Sequence, residues 1–194
     1  MKRLALSSLL AALLVFAWSS VSWMLLGWHE AGMRHFTDET AVASVLTANA
    51  PQPGLYLLPS DHTQAKPEAT FEQAAERMRA GPFLYGAVRT SPRDWNMPAL
   101  MAKSFATQLA AAFLLTAMLG AVRFESYGGR VAACAIAGLF AGVVGHVPQT
   151  TWWEFPWSST LVNIADLTIS WMLGGLVIAH FTSPVRSHSS SWVR

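Results

Sequence analysis

Residues 159–181 read STLVNIADLTISWMLGGLVIAHF, and they follow the aromatic run Thr151–Trp152–Trp153–Glu154–Phe155–Pro156–Trp157. The stretch is apolar enough to cross a bilayer, and at about 1.5 Å per residue it is long enough. Asn163, Asp166, Ser170 and Gly174 recur at intervals of three and four, which puts them on one helical stripe. Asp166 is the only acid inside the four long apolar segments of the chain. A carboxylate at the centre of a bilayer costs roughly 3 kcal/mol or more, so the stripe must face protein or a wet recess. The rest of the chain has to supply that interior.

Three further apolar segments do so. Residues 4–28 run without a charge, longer than the hydrocarbon core requires. Ala17–Trp18–Ser19 loosely resembles a signal-peptide cleavage site, but the apolar run continues past it. An uncleaved anchor is therefore expected. Residues 101–122 form a second span and 131–147 a third. The third carries Cys134, Gly138, Gly142 and His146 at intervals of four. Its Gly-x-x-x-Gly spacing predicts a close helix contact, expected within the chain in preference to a homodimer.

Composition agrees. Hydrophobic residues make up 53% of the 194 and charged residues only 12%, which fits a membrane protein better than a soluble domain. Nine Trp and ten Phe suit interfacial belts. A net charge of +2 with scattered Lys and Arg argues against a nucleic-acid partner. Cys134 is the single cysteine, which excludes an internal disulfide, a four-Cys zinc site and a CxxC redox centre.

The predicted organisation is a first transmembrane helix over 1–28, an α+β insert over 29–100, three more transmembrane helices over 101–182 and a polar tail over 183–194. In the insert, Thr37 is expected to cap a helix containing Val42, Val45 and Leu46. Pro51 and Pro53 end it. Residues 55–58 and 83–88 read as short strands, and 60–68 as a polar loop. Thr70 with Gln73 forms a capping box ahead of a helix over 71–79. Residues 148–158 read as an aromatic loop whose Trp152, Trp153, Phe155 and Trp157 anchor it at the interface, or alternatively line a groove for a lipid tail or partner helix.

Lys2, Arg3, Arg123, Arg130, Arg186 and Arg194 flank the spans on one side, against the single acid Glu125. The insert holds eight acids and six basic residues. The positive-inside rule then places both termini in the cytoplasm and the insert outside, in a multi-pass inner-membrane protein if the cell is bacterial. Counting residues inward from the outer ends brings Ser19, Ser22, Gln108, Gly142 and Asp166 to one depth. A polar layer is expected there, with Asp166 bonded to Gln108 or to one of the serines. Gln108, Asn163, Asp166, Ser170, His146 and Trp153 are the candidate binding residues.

Two resemblances bear on activity. Phe155–Pro156 and Asn163–Ile164–Ala165–Asp166 resemble the final motif of the bacterial lipoprotein signal peptidases, four-span aspartyl proteases. That resemblance implies a catalytic role for Asp166. The family also uses a Gly-Asn-x-x-Asp-Arg run, and Gly145–His146–Val147–Pro148–Gln149–Thr150 stands in its place, with Gln149 where the second acid belongs. More of the chain resembles a family of four-helix bacterial inner-membrane proteins of unknown function. The shared features are Ser22–Trp23–Met24 with Trp28–His29, the turn residues Pro51, Gly54, Tyr56 and Pro59, and Trp153 to Pro156.

The residues themselves favour a non-catalytic scaffold or accessory protein in the lipid bilayer, binding another membrane protein or lipid and needing no cofactor. One alternative is an aspartyl-type hydrolase using Asp166. Another is a b-type haem held between His29 and His146, which both sit at the outer ends of spans.

Overall fold

The computed structural model describes residues 2–60 and 70–182. The chain divides into two units. One is built from the residues up to Met33 and from Asn96 onward, the other from Arg34–Trp95. Most of the loop expected over 60–68, and the whole tail over 183–194, lie outside the described residues.

Among the described residues the first unit contains four helices long and apolar enough to cross a membrane. They are α1 (Lys2–Met24), α4 (Met97–Ala121), α5 (Tyr127–Trp153) and α6 (Trp157–Phe181). Two of the expected limits need correction. The first span does not continue to residue 28. After Met24 the chain turns at Gly27, whose φ of 62° suits a residue without a side chain, and enters a 3-10 turn over Trp28–Gly32. Gly32 then lies against the Ser159 hydroxyl of α6, where a side chain would have no room.

The aromatic loop expected over 148–158 is the second correction. Helix α5 passes through Pro148 and continues to Trp153. Proline removes one helical N–H. The next turn is nonetheless supported by the Thr151 hydroxyl donating to the Val147 carbonyl at 3.1 Å. Glu154 closes the helix in the left-handed region, at φ 56°, with its N–H on the Gln149 carbonyl. Only residues 154–156 separate α5 from α6. The hydroxyls of Thr150 and Thr160 meet at 2.6 Å across that corner.

Helix α5 packs along α6, α1 along α4, and α1 also along α6. The small-residue stripe of α5 is the reason α5 and α6 come so close. A Cβ on Gly142 would stand 2.9 Å from Ile164 Cα, and one on Gly138 would overlap the Leu167 carbonyl. Cys134 fills the space beside Gly175. The contact expected from Gly-x-x-x-Gly is thus made within the chain. At the other end the Tyr127 hydroxyl donates to the Leu176 carbonyl at 2.8 Å. Helices α1 and α4 bury Ala11, Ala12, Ala112, Leu115 and Leu119 in the core, and Phe16 meets Phe105 edge to face. Helix α4 makes few close backbone contacts with α6 or α5, and its Leu115 and Leu119 share the core cluster with Cys134 of α5.

The second unit contains α2 (Glu39–Asn49), β1 (Gly54–Leu58), α3 (Phe71–Ala80) and β2 (Leu84–Val88). The strands pair antiparallel, from Gly54 opposite Val88 to Leu58 opposite Leu84. Thr70 and Gln73 form the expected capping box. The cap of α2 is Asp38, not Thr37: its carboxylate accepts from the Ala41 N–H at 2.8 Å.

Candidate polar site between the helices

The polar stripe of α6 is where the helices converge. Asp166, Ser170 and Gly174 are buried, and Asn163 is half-buried one turn earlier. A cavity of about 390 Å³ opens beside them. Asp166, Asn163, Ser170, Gln108, His146 and Ser19 all contribute to its wall. Five of the six candidate binding residues are therefore together, and Ser19 of the expected polar layer joins them. The sixth, Trp153, ends α5 half-buried and is not part of this wall.

Asp166 has a different partner from the one its depth predicts. Its Oδ1 accepts a 2.7 Å hydrogen bond from the Trp18 indole N–H, not from Gln108 or a serine. Its Oδ2 lies 3.7 Å from His29 Nε2. The physical reason is reach. An indole N–H projects far from its own backbone, so Trp18 on α1 spans a gap that a serine hydroxyl cannot. Trp18 could have been found from its spacing: with Ala11, Val15 and Ser22 it falls on the buried face of α1.

Ser22 is drawn into a second cluster. Its hydroxyl accepts from the Trp28 indole at 3.0 Å and lies 2.9 Å from His29 Nε2. The His29 ring stacks on Trp23, with centroids 3.8 Å apart and 5° between planes. His29 is only 6% exposed. Trp18, Ser22, Trp23, Trp28, His29 and Asp166 thus form one polar aromatic knot. It fastens the 3-10 turn back onto α1 and α6. Gly142, the remaining member of the expected layer, packs on Ile164 and does not join the knot.

The site's chemistry follows from which atoms face each other. Ser22, His29 and Asp166 do not make a nucleophilic triad, because both the hydroxyl and the carboxylate approach the same ring nitrogen. A triad needs them on opposite nitrogens. Nor, among the described residues of this unit, is a second acid found beside Asp166. It is the only acid in the cavity wall, Glu154 is exposed at the end of α5, and Gln149 lies within that helix. His146 Nδ1 lies 3.5 Å from the Asn163 amide nitrogen, a long contact at the limit of hydrogen bonding. No cluster of three or more His, Cys, Asp or Glu suited to a metal occurs among the described residues. The Gln108 Oε1 atom is buried with no hydrogen-bond partner.

Comparison with protein-family models, with curated proteins and with solved structures finds no match to this chain.

Proposed function

We propose that this chain is a non-catalytic integral membrane protein, a scaffold or accessory subunit that engages lipid or another membrane protein. Its four apolar helices cross an inner membrane, with both termini cytoplasmic and the Arg34–Trp95 unit outside. The distribution of Lys and Arg supports that orientation. The observation that carries the functional reading is the 2.7 Å bond from Trp18 to Asp166. It occupies one oxygen of the only intramembrane acid in a tie between α1 and α6. An aspartyl hydrolase instead needs two carboxyls sharing a proton around a water. The b-haem alternative receives no support from His29, whose Nε2 already meets Ser22.

Thermal unfolding of Asp166 variants in mild detergent tests the reading. Asp166→Asn keeps an oxygen for the indole and should unfold close to the parent. Asp166→Ala leaves the Trp18 N–H buried without an acceptor and should lose about 2 kcal/mol. A catalytic carboxyl behaves in the opposite way, because removing it commonly relieves a destabilised site. If both variants proved more stable than the parent, the non-catalytic reading would be lost.

A further inference from the structure

Two oxygens converge on one nitrogen of His29. Its Nε2 lies 2.9 Å from the Ser22 hydroxyl and 3.7 Å from Asp166 Oδ2. The ring is buried, and its face stacks on the Trp23 indole. His29 belongs to the 3-10 turn Trp28–Gly32, which packs on α6 and α1. Three residues along the same turn, Gly32 rests on Ser159 of α6. The turn therefore meets α6 at two places, and at one of them the contact depends on where a proton is.

Two proton arrangements hold the turn differently. When Nε2 is bare, the Ser22 hydroxyl accepts the Trp28 N–H and donates its own proton to the ring. Both functions of the hydroxyl are then used between residues 22 and 29. Asp166 Oδ2 faces a lone pair, so no hydrogen bond joins His29 to α6. When the pair takes up one proton, an N–H or O–H stands between Nε2 and Oδ2. The pair is then neutral as a whole, whichever atom carries that proton. Neutrality matters here, because a carboxylate without compensation is costly in a membrane interior. If the ring carries the proton, the stacked Trp23 face also attracts the cation.

The other titratable groups on these elements stand apart. Glu30, on the turn itself, is exposed. Helix α1 carries Lys2 and Arg3, about 30 Å along its axis from Ser22. Helix α6 carries His180, about 20 Å along from Asp166. His146 of α5 lines the cavity beside Asp166, and its Nδ1 lies 3.5 Å from the Asn163 amide nitrogen.

We infer that His29 and Asp166 form a proton-operated latch. Uptake of one proton from water fastens the Trp28–Gly32 turn to α6, and its loss frees His29 from Asp166. Met33 then leads into the Arg34–Trp95 unit, so the latch acts on the segment from which that unit departs. The inference is separate from the scaffold reading, since it depends on this pair and not on what the protein engages.

The test is amide hydrogen exchange of the full chain in mild detergent, at about pH 5 and about pH 8, the range over which imidazole charge ordinarily changes. Rates are converted to protection factors, which removes the intrinsic effect of pH on exchange. Protection of the 28–32 backbone should be about tenfold greater at the acid end, the lower part of the range for a hydrogen bond to a charged group. His29→Gln should remove the difference. His146→Gln should leave it unchanged.

Asp166→Asn gives the sharpest outcome. Its amide oxygen keeps the Trp18 N–H, and its amide nitrogen replaces Oδ2 in front of His29. That nitrogen donates to a bare Nε2 and opposes a protonated one. The turn in this variant should therefore be better protected at the alkaline end, a reversal of sign that packing alone would not produce. This reversal decides the matter should His29→Gln not fold. Equal protection at both ends in the parent would overturn the inference. So would a difference that survives His29→Gln, one that vanishes in His146→Gln, or an Asp166→Asn variant that keeps the parent's sign.

Discussion

The α5–α6 pair and the α1–α4 pair are both contacts between long apolar helices, yet they are held in different ways. On α5 the approach is backbone to backbone: Gly138 meets the Leu167 carbonyl and Gly142 meets Ile164 Cα. On α1 and α4 the contact is made by side chains, with Ala11, Ala12, Ala112 and Leu119 buried and Phe16 against Phe105. In lipid there is little hydrophobic drive between helices, so closeness and polar ties decide which faces meet. The α5–α6 contact depends on the absence of Cβ atoms, whereas the α1–α4 contact depends on their presence. The polar ties then join the two pairs through α6, with Trp18 reaching Asp166.

The largest effect that breaks this contrast is expected at Gly138. Gly138→Leu places a branched side chain where even a Cβ would overlap the Leu167 carbonyl, on a backbone that cannot step aside without moving α6. Overpacking of this kind costs about 3 kcal/mol. A fall in the thermal midpoint should be accompanied by loss of the Thr150–Thr160 and Tyr127–Leu176 ties, seen as faster cross-linking between cysteines introduced on α5 and lipid-side reagents. A midpoint equal to the parent's would mean that α5 and α6 are not in backbone contact.

Much of this contrast is legible in the sequence, because it rests on spacing. The stripe Asn163, Asp166, Ser170, Gly174 and the stripe Cys134, Gly138, Gly142 each mark one helix face, and each face proves to be a contact or a cavity wall. The capping box at Thr70 and Gln73 is local chemistry and equally readable. The partner of Asp166 is less legible, since hydrogen bonding between helices depends on reach and rotation. Trp18 reads as part of an interfacial belt until its indole is seen pointing inward. The end of the first span is hidden for a different reason. Leu25, Leu26 and Trp28 continue the apolar run, and only the left-handed backbone of Gly27 separates helix from turn. Proline usually stops a helix, so the passage of α5 through Pro148 is missed in the same way. The scarcity of close contacts between α4 and α5 has no local signal at all, because consecutive helices are ordinarily neighbours.

A second, smaller effect separates the polar tie from the packed contacts. Trp18→Phe retains most of the aromatic bulk and removes the indole N–H. Asp166 Oδ1 then lacks its donor, and a hydrogen bond to a carboxylate is worth about 2 kcal/mol. The loss should be non-additive with Asp166→Ala in a double-mutant cycle, since both remove one bond. Simple additivity would show that Trp18 contributes through packing alone.

The smallest effect sharpens the contrast most, because it separates glycine as a contact from glycine as a residue type. Gly145 lies on α5 only three positions beyond Gly142, yet a Cβ built there meets nothing within 4 Å. The two glycines share a helix and a composition but not a neighbour. Gly145→Ala should therefore stabilise the chain slightly, by under about 1 kcal/mol, through the better helix propensity of alanine. Gly142→Ala should do the reverse, because its Cβ would stand 2.9 Å from Ile164 Cα and one of the two helices must yield. Opposite signs in the thermal midpoints of these two variants would tie the α5–α6 contact to the face that Gly142 occupies. The same sign in both would tie it to the glycine content of α5, and the distinction from the alanine-lined α1–α4 contact would disappear.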